Sequence, residues 1–223
     1  MSFIDALNTR QALVDKIGRD AAYLCLAVSL FIEEPDVDQL ASEGLTDGGN
    51  DKKIDFIYHD ANLKKLIFAQ GYLTEKKKDE APANKASDLN TACAWLISGN
   101  PDLVPEKLRD IINTFREAIN SGEIESIDLV YVHNLPESVN VSRELQTAES
   151  HLRAAINKEN ISIRAHELGK TKIEHLFAAQ DSHIEVVDEI EFPAEIGISQ
   201  SGANWTAGVA TIKAGWLHDL YQK

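Results

Sequence analysis

Two polar side chains that could bind a metal ion lie in neighbouring apolar runs. Asp55 stands near the start of the run at residues 54–58, and Gln70 lies inside the run at residues 66–73. The residues between the runs, 59–62, are typical of a tight turn, so the two runs are predicted to form a hairpin. Antiparallel pairing would bring Asp55 and Gln70 close together. A buried amide needs hydrogen-bonding partners, which makes Gln70 a candidate functional residue within the apolar stretch LIFAQGYL.

An acid and an amide on adjacent strands, with an acid from a preceding helix, supply the oxygen ligands that Mg²⁺ or Mn²⁺ requires. Such an ion activates water and stabilises charge on a phosphodiester. Glu33 or Glu34, at the end of a long predicted helix, could supply the helix acid. Asp51 is a candidate ligand because it is close to Asp55 in the chain. Turn formation is the alternative function of Asp51, and a structural role is the alternative for Asp55.

Several familiar catalytic motifs are missing from the sequence. It contains no P-loop, GxSxG, CxxC or dinucleotide-binding fingerprint, which argues against an ATPase, a serine hydrolase and a Rossmann enzyme. The seven histidines show no metal-ligand spacing. His133 and Asn134 follow a predicted central strand, where α/β proteins place functional loops, although a capping or turn role is the alternative.

Composition and charge narrow the class of protein. The chain has 223 residues, of which 43% are hydrophobic and 26% charged, with a net charge of −14. So acidic a chain is unsuited to strong non-specific binding of nucleic acid, but an enzyme with a local metal centre remains compatible with it. No signal peptide is apparent, and the apolar segment 21–32 is too short to span a bilayer. Cys25 and Cys93 are predicted to be reduced core thiols, so we expect a cytoplasmic protein without a membrane partner.

The periodicity of apolar residues predicts an α/β fold, with a mixed sheet flanked by helices and an N-terminal helical segment. Residues 1–180 are predicted to form the main domain, and residues 181–223 a strand-rich extension. We expect a charged, solvated loop at residues 76–85. Helices are predicted at residues 11–32, 87–98, 105–119, 142–156, 172–179 and 216–223, and strands at 54–58, 66–73, 127–133, 161–165 and 184–192.

The order of these motifs resembles a known superfamily. It resembles the restriction-endonuclease-like (PD-(D/E)xK) fold in its glutamine-containing form. The order that carries this resemblance is a helix, the stretch DGGNDKKID, a strand, a turn, and a second strand that contains glutamine. More narrowly, five stretches are similar to the N-terminal portion of abortive-infection phage-resistance (AIPR) proteins: DGGNDKKIDFIY, LIFAQGYL, SDLNTACAWLISG, IDLVYVHNLPESVNV and GWLHDLYQK. The last stretch resembles the start of that family's larger conserved region, so we expect the chain to be a fragment of a longer protein.

The resemblance implies a Mg²⁺- or Mn²⁺-dependent endonuclease of bacterial antiviral defence. Asp55 matches the metal-binding acid of the superfamily, and Gln70 matches its second ligand. The implied partners are nucleic acid (DNA rather than RNA), a second copy of the chain, and the C-terminal region of the full-length protein. The superfamily places a lysine two residues after the second ligand, but this chain has Tyr72 there. Lys76 or Lys85 would therefore have to reach back to the site.

The alternative is a nuclease-fold module without catalysis, serving dimerisation or target sensing. The missing lysine and the acidic charge favour this hypothesis. The two hypotheses differ in whether a lysine ammonium lies within reach of the pocket at Asp55 and Gln70.

Overall fold

The computed structural model of the protein describes residues 1–46, 53–180, 196–202 and 206–221. The chain separates into two units, Met1–Ser182 and His183–Lys223. The helices of the first unit are α1 (Phe3–Thr9), α2 (Gln11–Ile17), α3 (Arg19–Ile32), α4 (Val37–Gly44), α5 (Ala83–Ile97), α6 (Glu106–Ser121), α7 (Val139–Ile156) and α8 (Lys170–Ala179). Its strands are β1 (Phe56–Asp60), β2 (Lys65–Tyr72), β3 (Ser126–His133) and β4 (Ser162–Leu168).

The second unit contains a hairpin and a helix. Strands β5 (Ile196–Ser201) and β6 (Thr206–Ala210) pair antiparallel, and helix α9 (Ala214–Tyr221) follows them. The sequence predicted this order of short strands and a final helix. The strand predicted at residues 184–192 lies outside the described residues.

The sheet of the first unit is mixed, as predicted, with strand order β1-β2-β3-β4. Strand β1 runs antiparallel to β2, and β2, β3 and β4 are parallel to one another. Parallel neighbours need crossover connections, which α5 and α6 provide between β2 and β3, and α7 between β3 and β4. The start of β1 and the ends of the other three strands therefore meet at one side of the sheet, which we call the carboxyl edge.

Helices cover both faces of the sheet. Leu66 and Phe68 of β2 pack into a core with α5, α6 and α7, whereas Ile67 and Ala69 pack into a second core that includes residues of α1, α2, α3, α4 and α8. Strand β3 contributes to both cores, because its residues from Ile127 to His133 are all buried. This two-sided burial explains its nearly continuous apolar sequence. None of the helices in the described ranges combines the length and apolar character that a membrane crossing requires.

One predicted helix is in fact two. The apolar pattern over residues 11–32 predicted a single helix, but α2 ends at Ile17 and α3 begins at Arg19. Gly18 between them has a φ of 83°, a backbone conformation that residues with side chains rarely adopt. Both α2 and α3 contribute apolar residues to the second core.

The outer edge of β4 is covered by helix α7. The carboxylate of Glu149 accepts a hydrogen bond of 2.9 Å from the backbone N–H of Ala165, and Arg153 donates one of 2.6 Å to the carbonyl of Ile163. These side chains occupy backbone groups that another strand would otherwise bind, so they oppose extension of the sheet at this edge.

A buried polar cluster joins three strands on the face that packs against α3. Asp128 of β3 is 5% exposed and lies 3.1 Å from Nε2 of His166 on β4 and 3.2 Å from Nζ of Lys65 on β2. The His166 ring also packs against Phe31 of α3, with 4.9 Å between ring centroids. Burial raises the pKa of Asp128, but the hydrogen bond and charge of His166, with a contribution from Lys65, outweigh it, so the pKa lies below its usual value.

Asp128→Asn should destabilise the first unit at neutral pH by about 1.5–3 kcal/mol, because hydrogen bonds to a charged group are lost. A carboxyl whose pKa is lowered on folding stabilises the protein above its unfolded-state pKa, and this contribution is lost as the pH falls through the folded-state pKa. The difference between wild type and variant should therefore shrink below about pH 4. Urea unfolding at a series of pH values measures it, with the exposed Asp110→Asn as control. A difference that is constant with pH would contradict this role of Asp128.

Candidate functional site

The hairpin brings Asp55 and Gln70 together, as the sequence predicted. Phe56 pairs with Ala69 in the antiparallel register of β1 and β2, so the residues one position outward from this pair, Asp55 and Gln70, face each other. The start of β1 is also held from its other side. Leu45 forms a β-bridge with Phe56, and the backbone N–H of the next residue, Thr46, donates to the carbonyl of Asp55.

The side chains of Asp55 and Gln70 are in direct contact. Nε2 of Gln70 donates a hydrogen bond of 2.6 Å to Oδ2 of Asp55, and the backbone N–H of Gly71 donates one of 2.8 Å to the same oxygen. Gln70 is only 3% exposed, and its Oε1 is buried without a hydrogen-bonding partner. A buried, unpaired carbonyl oxygen is costly and rare in folded proteins, so it points to a function for this amide.

Asp55 lines a cavity of about 640 Å³ at the carboxyl edge. One part of the lining is polar and also includes Lys16 of α2, Asp20 of the first turn of α3, and Thr46. The rest consists of Gly71 and four apolar side chains: Ile17, Ala21, Leu24 and Leu45. A cavity of this size with a few convergent polar groups is typical of a site for a small ligand or part of a larger one.

Gly71 keeps this cavity open next to the carboxylate. A Cβ atom added at Gly71 would lie 3.4 Å from the side chain of Leu24 and 3.7 Å from Oδ2 of Asp55. The position thus has room for a small side chain, but any larger one would enter the space beside Asp55. Glycine inside a strand often marks a close approach by a ligand or another backbone.

The two candidate helix acids lie elsewhere. Glu33 and Glu34 follow the last turn of α3 and line a different cavity, together with Leu176, Ala179 and Gln180. Asp20, at the opposite end of α3, is the acid that shares the Asp55 cavity. Fourteen helical residues separate these ends by about 20 Å, which explains why the structure does not bring the glutamates to Asp55. Asp51, the remaining candidate ligand, lies outside the described residues.

Neither candidate lysine lines the Asp55 cavity. The side chain of Lys76 is exposed, and its backbone N–H donates to Oγ1 of Thr74. Nζ of Lys85 lies 3.7 Å from Oδ2 of Asp88, which also lies 3.4 Å from Nζ of Lys53. The lysine found among the described lining residues is Lys16 instead.

Tyr72, two residues after Gln70, is hydrogen-bonded to Lys78. Nζ of Lys78 donates a hydrogen bond of 2.7 Å to the Tyr72 hydroxyl and lies 5.2 Å from the ring centroid. This hydrogen bond is the main cause of a lowered pKa of Tyr72. Lys78 thereby attaches the loop predicted at residues 76–85 to the end of β2.

His133 and Asn134 have structural contacts at the same edge. His133 is fully buried, and its Nε2 lies 3.1 Å from Oε1 of Glu167, which also accepts the backbone N–H of Ser138. The side chain of Asn134 accepts a hydrogen bond from the backbone N–H of Thr74 and donates one to its carbonyl. These contacts fasten the loop that follows β2 to the loop that follows β3, and the end of β3 and the start of α7 to strand β4.

Three polar residues of the cavity were missed by sequence reasoning: Lys16, Asp20 and Thr46. Lys16 and Asp20 lie inside the segment that was predicted to be one continuous helix, residues 11–32. The available signal was Gly18, because glycine within a helical pattern often marks a break. Thr46 had no signal, since its place beside Asp55 depends on the bridge between Leu45 and Phe56.

The residues at the hairpin fit a small, oxygen-preferring cation. Asp55 offers a carboxylate and Gln70 an unpaired carbonyl oxygen, and Mg²⁺ commonly uses one or two carboxylates together with water and substrate phosphate. Within the described ranges, no group of three or more His, Cys, Asp or Glu side chains could hold a metal ion. The Asp55–Gln70 contact therefore offers one carboxylate and one amide oxygen from the protein.

Gln70→Leu tests whether the buried amide has a structural purpose. An apolar side chain of similar size loses the hydrogen bond to Asp55 but also removes the buried, unpaired oxygen, and these effects are of similar size. The free energy of unfolding should therefore change by less than about 1 kcal/mol. Ile67→Ala, in the same strand, should cost about 2–5 kcal/mol as a true core truncation. Urea unfolding compares the two variants. A loss for Gln70→Leu as large as that for Ile67→Ala would assign Gln70 to the core.

Comparison with protein-family models, with curated proteins and with solved structures gives no match for this chain. The first unit is a mixed four-stranded sheet with helices on both faces.

Proposed function

We propose that this chain is a restriction-endonuclease-like domain that hydrolyses phosphodiester bonds of nucleic acid with Mg²⁺ or Mn²⁺, as part of a bacterial phage-defence protein. The observation that carries the proposal is the contact between Gln70 and Asp55, which leaves a buried, unpaired amide oxygen beside a carboxylate that lines a cavity. A core position would favour an apolar residue over this half-bonded amide.

The order of elements supports the proposal. Helices α3 and α4 precede β1, which has Asp55 directly before it, and a turn leads from β1 to β2, which has Gln70 inside it. This is the order on which the resemblance to the glutamine-containing PD-(D/E)xK superfamily depends. The assignment to AIPR proteins rests on the sequence resemblance alone.

The residues of the cavity suit this chemistry. Asp55 lines the cavity and would hold the metal ion, and Asp20 faces the same cavity. Gln70 is not among the described lining residues, and its buried Oε1 would be the second ligand from beside Asp55. When bound, the ion would lower the pKa of a water molecule and stabilise charge on the phosphate. The N–H groups of Gln70 and Gly71 fix the orientation of the Asp55 carboxylate. The apolar side chains of α2 and α3 give the cavity a wall that excludes water from one side.

A binding module without catalysis is the second candidate function. The observation that favours it is Tyr72, which occupies the superfamily's lysine position and holds Lys78 at its hydroxyl, on a strand position beyond Gln70. Such a module would bind nucleic acid or a second copy of the chain without cleaving a bond. DNA is the expected nucleic acid in either case.

Asp55→Asn should reduce cleavage of single- and double-stranded DNA by about 100-fold or more, because even the loss of an outer partner of a metal site costs 10–100-fold. The substitution keeps the shape of the side chain and an oxygen that can accept the N–H of Gly71. Cleavage is measured with the whole chain in Mg²⁺ and in Mn²⁺.

The matched control is Asp79→Asn, which makes the same charge change at an exposed loop position. Cleavage that is equal in wild type, Asp55→Asn and Asp79→Asn would remove Asp55 from the mechanism. Binding of DNA without cleavage by the wild type would favour the second candidate.

A further inference from the structure

Lys16 is the single basic side chain among the described residues that line the Asp55 cavity. Its ammonium group is bound to Asp38 of α4, with 2.8 Å between Nζ and Oδ1. Lys16 therefore lines a cavity that also holds Asp20 and Asp55, but its ammonium group pairs with Asp38, which is not among the described lining residues.

The ion pair between Lys16 and Asp38 is easily exchanged. The two side chains are 58% and 67% exposed, so water and salt screen their attraction. Exposed pairs of this kind contribute little to stability. Lysine also carries its charge on a flexible stem with rotatable donors, so the ammonium can move to a new partner without a backbone change.

The other charges of the cavity create a need for such a cation. Asp20 and Asp55 both line it, and the whole chain has a net charge of −14. A phosphodiester entering the cavity would be repelled by the carboxylates. A lysine at the same cavity reverses this repulsion locally, since the local field rather than net charge governs the approach of a ligand.

Building on the proposed function, we propose that Lys16 binds a phosphate of the nucleic-acid strand in this cavity, and that Asp38 competes with the phosphate for its ammonium group. Asp38 thereby tunes the affinity of the site: the lysine leaves the carboxylate when the strand enters. Lys16 is a substrate-positioning residue in this scheme, and it needs no bound metal for this contact.

The two members of the pair should have opposite effects on binding. Lys16→Gln should weaken binding of a short single-stranded DNA oligonucleotide by roughly threefold and lower the salt dependence of binding by about 0.7 in log–log slope, as expected for one lost phosphate contact. Asp38→Asn should tighten binding, because the competitor is removed. Fluorescence anisotropy of a labelled oligonucleotide in EDTA, at several salt concentrations, measures both.

Controls separate this exchange from a general effect of charge. Asp15→Asn makes the same charge change as Asp38→Asn, at an exposed position of α2 beside Lys16. Lys64→Gln makes the same charge change as Lys16→Gln, at an exposed position near the other end of the hairpin. Both should leave the affinity nearly unchanged. The double variant Lys16→Gln/Asp38→Asn should bind like Lys16→Gln alone, because Asp38 acts through Lys16.

An unchanged affinity of Lys16→Gln, an equal gain from Asp15→Asn and Asp38→Asn, or absence of oligonucleotide binding by both wild type and Asp38→Asn would overturn this inference. Its failure is distinguishable from failure of the proposed function. Binding is measured without metal, whereas the nuclease proposal depends on cleavage and on Asp55. A chain that binds through Lys16 but never cleaves would retain this inference and lose the nuclease.

Discussion

The carboxylate of Asp55 is the point on which the architecture of the site depends. One of its oxygens accepts both the side-chain N–H of Gln70 and the backbone N–H of Gly71, so a residue just before β1 is fixed to the end of β2. Beyond this contact, β2 continues to pair with β3, but β1 does not extend so far. The opening that results is the cavity bounded by α2, α3 and the segment Leu45–Thr46.

Side-chain hydrogen bonds hold the rest of the carboxyl edge together. Asn134 joins the loop after β3 to the loop after β2 through two hydrogen bonds with Thr74. Glu167 of β4 binds both His133 of β3 and the start of α7 at Ser138. Because each parallel strand is fastened to its neighbour where it ends, Gln70 and Asp55 sit on a preorganised platform, which is what precise placement of functional groups requires.

Local patterns predicted the parts of the site that depend on neighbours in the chain. A short turn sets the register of β1 and β2, so the pairing of Asp55 with Gln70 followed from the sequence. The parts that depend on distant packing could not be predicted. Apolar periodicity does not encode the direction in which α3 runs, so it does not show which end of the helix meets the hairpin. The sequence therefore pointed to Glu33 and Glu34, whereas the structure places Asp20 at the Asp55 cavity. The cluster of Asp128, His166 and Lys65 likewise joins strands that are far apart in sequence.

A calorimetric titration of this chain with Mn²⁺ tests the metal centre most directly. We expect saturable binding in wild type, its loss in Asp55→Asn, and its retention in the exposed control Asp79→Asn. No binding to wild type, or equal binding to Asp55→Asn, would contradict a metal centre at the hairpin.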